Sequence, residues 1–76
     1  MLQKWQVELN IMFITEGNML TEIVDVTANT LKAALVAAER SVEWKHRNFY
    51  PSASGPLIAV LPTCEIELIE IKAILN

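Results

Sequence analysis

From Lys4 to Ile14 (KWQVELNIMFI) apolar and polar positions alternate. Trp5, Val7, Leu9, Ile11 and Phe13 fall on one side, Gln6, Glu8, Asn10, Met12 and Ile14 on the other. A period of two places successive side chains on opposite faces of a strand, so the stretch predicts a half-buried β-strand. Residues 20–28 repeat the pattern. Gly17-Asn18 between them predicts a two-residue hairpin turn, because glycine takes the positive φ that such turns need. A hairpin centred there sets Ile11 against Val24, Leu9 against Val26 and Val7 against Ala28, all on one face. It also puts Glu22 opposite Phe13 on the buried side, where a carboxylate needs a cation.

Between Asn29 and about Asn48 there is neither glycine nor proline, and the periodicity changes. Leu31, Ala34, Leu35, Ala38, Val42 and Phe49 form one stripe at 100° per residue, which predicts an amphipathic helix capped by Asn29. Some 20 helical residues span about 30 Å, similar to the second strand, so the helix should run back over the sheet and end near the hairpin tip. There Lys45, His46 and Arg47 complement the helix dipole, and Lys45 or Arg47 is the expected partner of Glu22.

All three prolines lie in residues 51–63, PSASGPLIAVLPT, which therefore reads as the irregular connection. Its LIAVL segment (57–61) suits either a short edge strand or a loop laid over apolar surface. Residues 64–75, CEIELIEIKAIL, form a last strand whose parity breaks. Either a bulge at Leu68-Ile69 restores the alternation, or the strand buries one face first and the other later.

These elements make a single α+β domain over residues 1–76. The expected fold is a two-layer sandwich of ββαβ order: a mainly antiparallel sheet with the first strand central and one helix on one face. This arrangement leaves Met12, Ile14, Ile23, Ile69 and Ile71 on the outer sheet face, where they are the expected oligomer interface. Composition sharpens the point, since 53% hydrophobic against 20% charged residues in 76 is a large apolar share for so small an interior. A homodimer is the expected outlet.

Charge and chemistry narrow the function. Net charge is −3, with the basic residues Lys32, Arg40, Lys45 and Arg47 gathered in the helical region and an acidic remainder. One cysteine, Cys64, and one histidine, His46, provide neither a disulfide nor a metal set, so no metal or cofactor is expected. No phosphate loop exists, and His46 has no nucleophile to serve, so no catalytic residue is assigned and the protein is read as not an enzyme. The start carries no signal-peptide pattern and no apolar run reaches membrane-spanning length, so a cytoplasmic location is expected.

The surface that lacks a reason to be apolar is the outer side of the helix. Trp44 points away from the sheet-facing stripe, beside Ala37, Arg40 and Arg47 with Val36 at the margin. Small residues admit a second backbone, and Trp with Arg is the pairing enriched in binding hot spots. These five residues are the candidate partner-binding site. The alternatives are that LIAVL covers this side or that Trp44 stacks on Arg40. Residues 24–44, VDVTANTLKAALVAAERSVEW, resemble the strand-to-helix passage of small phage-encoded accessory proteins, among them compact acidic inhibitors of host defence of the anti-CRISPR kind. That resemblance implies a non-catalytic protein that occupies a host or virion protein surface. It transfers no individual residue. The competing reading is a small nucleic-acid-binding protein using Trp44, Lys45, His46, Arg47, Phe49 and Tyr50. A third, compatible with the first, has Glu8, Glu65, Glu67 and Glu70 forming one acidic row that imitates nucleic acid.

Overall fold

In the computed structural model, which describes residues 2–75, the chain runs through β1 (Gln3–Phe13), β2 (Asn18–Ala28), α1 (Leu31–Lys45), β3 (Asn48–Pro51), β4 (Leu57–Val60) and β5 (Cys64–Ala73). The strictly alternating β1 is central in a three-stranded antiparallel sheet of order β2-β1-β5, as its pattern required. The protein is thus α+β, with one helix and a mainly antiparallel sheet. The expected ββαβ order lacks a hairpin: β3 and β4 pair with each other in a second, two-stranded sheet.

Val7, Leu9 and Ile11 are fully buried, and Phe13 nearly so, beneath Ala38 and Val42 of the helix. Alanines at 34 and 38 bring the helix backbone close to the strands, and both are completely buried. The helix lies mainly over β2 and β1 and only lightly over β5. Its N-cap is Thr30 rather than Asn29, with Thr30 Oγ1 accepting from the Ala33 amide at 3.1 Å. The helix stops at Lys45, three residues short of expectation, and Phe49 leaves the stripe to join β3. Among the described residues no helix is long and apolar enough to cross a membrane.

The hairpin register differs from the expected one. Phe13 faces Asn18, Ile11 faces Leu20, Leu9 faces Glu22 and Val7 faces Val24. The connection is therefore the four residues 14–17, closed by the Gly17 amide donating to the Phe13 carbonyl at 2.8 Å, with Gly17 at φ 72°. Glycine supplies the left-handed residue, but as the last of four loop residues instead of the first of two. Each partner moves by four positions. An even shift keeps every side chain on its expected face, which is why the apolar pattern alone did not separate the two registers.

At β5 the ladder to β1 shifts between Glu8 and Leu9: Leu68 faces Leu9, Glu70 faces Glu8, and Ile69 is the extra residue. The bulge restores parity. It also divides two residues expected together on the outer face. Ile71 turns inward and packs against the core, so it does not belong to an outer interface, whereas Ile69 stays exposed.

Glu22 lies mid-strand on the helix side, opposite Leu9, with its side chain only 11% exposed. Lys45 Nζ and His46 Nε2 both reach its carboxylate, while Arg47 does not. Burial by itself would raise the Glu22 pKa; the hydrogen bonds and charges of Lys45 and His46 outweigh it and hold the carboxyl below its ordinary value. A depressed folded-state pKa contributes stability above the unfolded value and loses it as pH falls. Lys45 is well exposed, so solvent screens the pair and Glu22→Gln should cost about 1 kcal/mol at neutral pH. Urea midpoints of the two proteins should converge once the pH is well below about 4. Midpoints that differ equally at neutral and acid pH would show that the carboxylate charge contributes nothing.

Candidate functional site

From Asn48 to Cys64 the chain carries no charged residue. Within that stretch, β3 and β4 pair Asn48 with Val60, Phe49 with Ala59, Tyr50 with Ile58 and Pro51 with Leu57. The tip, Ser52 to Pro56, is closed by the Gly55 amide on the Ser52 carbonyl and the Ser52 amide on the Pro56 carbonyl. Gly55 sits at φ 107°, a conformation open to glycine. Prolines 51 and 56 flank this turn, where a missing N–H costs little.

This hairpin is an arm. No Cα of β3 or β4 lies within 8 Å of α1, β1, β2 or β5, close sequence neighbours apart. The molecule is accordingly elongated, 48 × 27 × 17 Å. Alternation along the ribbon gives one face Phe49, Ala59, Pro51 and Leu57, and the other Tyr50, Ile58 and Val60 with the polar Asn48 at the root. Beyond Asn48 both faces are mainly apolar and both are open, with Leu57 67% exposed and Phe49, Tyr50 and Ile58 each about half exposed. LIAVL is thus a strand, but it neither edges the main sheet nor folds over Trp44.

The root of the arm is built by Arg47. Its guanidinium lies over the Trp44 ring at 4.1 Å and faces Phe49 at 5.1 Å, while Nη1 donates to the Trp44 carbonyl at 2.6 Å. The cation therefore ties the last helical turn to the first strand of the arm. Trp44 stacks on Arg47 and not on Arg40, and remains 56% exposed. Beside it Arg40 and Val36 are exposed and Ala37 half-buried, so four of the five expected partner-binding residues lie on an open helix side that begins at the arm's root. Arg47 is half-buried within the stack.

Lys45 and His46 are equally committed, holding Glu22, and the His46 ring packs edge-on against Phe13 at 5.1 Å. The aromatic-basic stretch 44–50 is therefore a helix terminus and an arm root whose cations already have partners. On the opposite sheet face Glu8 stands across from Glu70, with Glu67 opposite Asn10 and Glu65 opposite Met12, so the acidic row exists. Ile23, 61% exposed, and half-buried Met12 share that face with it, and Ile14 lies in the hairpin loop. Cys64 packs against the core, and burial, helped by nearby Glu43, pushes its thiol pKa up. A thiol so placed is a poor nucleophile.

The residue set legible beforehand was the helix side. The arm was missed, since two four-residue strands are too short for a periodicity to register. A signal was nevertheless present in the 17-residue interval without charge, which a solvated loop would rarely show. Comparison with protein-family models, curated proteins and solved structures found no match.

Proposed function

We propose that the protein is a non-catalytic protein-binding module whose contact element is the β3–β4 arm, continued onto Trp44, Val36, Ala37 and Arg40. The body, a sheet layer with one helix layer, is the scaffold that holds the arm out. The observation that carries this reading is the arm itself: it is uncharged, its exposed side chains are mainly apolar, and it is joined to the rest of the molecule only near its root, with no Cα of its strands close to another element. An isolated two-stranded hairpin is marginal in water, and apolar area gains about 25 cal/mol per Å2 on burial. Such a ribbon is expected to work covered.

A nucleic-acid role draws little support from the same geometry. Phosphate binding needs free cations along the contact, whereas the arm has none and Lys45, His46 and Arg47 are engaged. The acidic row on the open face would repel phosphate as well. The resemblance to phage-encoded accessory proteins suits a protein that acts by occupying another protein's surface, and a host-defence inhibitor is the role it suggests.

The test is a comparison of tagged full-length wild type, Ile58→Asp and Trp44→Ala in capture from source cells, read by mass spectrometry. Ile58→Asp should lose the specific proteins that wild type retains, and Trp44→Ala should reduce them. Equal capture by all three would remove the arm from the binding reading. Salt-sensitive binding of single-stranded DNA that Arg47→Gln abolishes would move the assignment to nucleic acid.

A further inference from the structure

Residues four apart stack into rows along a helix, and α1 sorts its charges by row. Leu31, Leu35, Glu39 and Glu43 form the row on the β5 side, where Cys64, its thiol already affected by burial, also feels the charge of Glu43. The next row, Lys32, Val36, Arg40 and Trp44, is an exposed crest. Beyond it Ala33, Ala37 and Ser41 make a trough of small side chains. Together they bound a shallow groove of about 430 Å3, lined by Thr30, Lys32, Ala33, Val36, Ala37 and Arg40. This lining holds two cations and no carboxylate. Neither Lys32 nor Arg40 has an ion-pair partner among the described residues, and the first turn of the helix has no acidic residue to offset its dipole. On a chain of net charge −3, the groove is a local positive surface with an apolar middle.

We infer that the groove seats an amphipathic helix of another protein, one with carboxylates about two turns apart on either side of an apolar residue. The inference rests on the protein-binding reading, whose helix side this is, and names the partner's chemistry. Charge complementarity selects an acidic partner: Lys32 and Arg40 lie about 12 Å apart along the axis, and both lack a counter-charge. Shape selects a helix, because a trough of small side chains beside a raised row accepts a ridge of a second helix and lets the two axes come close. Val36 then meets the apolar residue, and Trp44 at the end of the crest is the anchor that leads to the arm. Two cations are too few to track a nucleic-acid backbone. The chain's own helix is no match, since Glu39 and Glu43 are one turn apart on the row that faces β5.

The test places an apolar diazirine amino acid at Val36 of the full chain and irradiates it in source cells. The cross-link should form to another protein, and mass spectrometry should locate it in an acidic helical segment with the stated spacing. A Lys32→Gln, Arg40→Gln double variant should lose it. Lys4→Gln with Lys72→Gln, which removes the same charge from the sheet face, should keep it. All four positions are exposed, so circular dichroism of both variants should match wild type. The cross-linked segment, made as a peptide, should bind the groove variant about tenfold more weakly than wild type at low salt, and the difference should shrink as salt screens the charges.

A cross-link to a non-acidic or non-helical segment, to a second copy of the chain or to nucleic acid would overturn the inference. So would a cross-link that survives in the groove variant, or equal peptide binding by groove variant and wild type. If no cross-link forms while Ile58→Asp still loses proteins that wild type captures, the groove is not the seat and the arm keeps its role. If no cross-link forms and Ile58→Asp captures as wild type does, both readings fail.

Discussion

Leu9→Ala should cost about 2–5 kcal/mol, the range for removing a large buried aliphatic side chain when the surroundings relax only partly. Leu9 has no solvent exposure and is among the largest fully buried side chains. It sits in the central strand between Glu22 and Leu68, so the void opens at the middle of the sheet and beside a half-buried carboxylate. A chain of this length has a total stability of about 4–11 kcal/mol, and the variant should fall close to the unfolding threshold. Urea denaturation should show a lower midpoint at unchanged slope. Leu57→Ala, on the arm, is the control: the same chemical deletion at an exposed site should leave the midpoint in place. Equal losses at the two leucines would mean that the arm belongs to the cooperative core.

Excising the arm should separate folding from binding. The helix cap His46 packs on Phe13, and Cys64 at the start of β5 is the strand partner of Phe13. Both roots of the arm therefore meet at one residue, and a short Gly-Ser link in place of residues 48–61 can join them. At low protein concentration, where association adds nothing to stability, the shortened chain should melt cooperatively within a few degrees of wild type. It should at the same time lose partner capture. An unfolded product would show that the arm closes the core, and retained capture would place binding elsewhere on the molecule.

What the sequence made legible follows the strength of its periodicities. Eleven alternating residues, 4–14, identified β1, its central place and the inward set Val7, Leu9, Ile11 and Phe13, although the strand runs from Gln3 to Phe13 and leaves Ile14 in the hairpin loop. The bulge at Leu68-Ile69 was readable as one of two options because a lost parity leaves few remedies. The hairpin register was not readable, since a period of two is blind to even shifts and Gly17 serves a four-residue loop as well as a two-residue one. Thr30 displaced Asn29 as the cap for a similar reason: both side chains can accept from the first turn, and one position decides between them. The Glu22 pairing was foreseeable from electrostatics even with the register wrong, because the helix returns its cationic end to β2 in either case. Of the candidate site, the Trp44 side came from helical geometry, while the arm depended on a tertiary fact, namely that nothing folds back over residues 48–61.

The bulge in β5 has a bearing on solubility. A sheet with two uncapped edges and a largely apolar composition offers a template for open-ended cross-β growth. Ile69 interrupts the even spacing of amide and carbonyl groups midway along β5, and the local twist it adds spoils the flat docking that a fibril requires. Glu65, Glu67 and Glu70, side by side on the same strand, would stack like charge on like charge in any in-register array. Straightening the strand by deleting Ile69 would therefore create a smoother edge, and with it a protein more prone to precipitate as filaments.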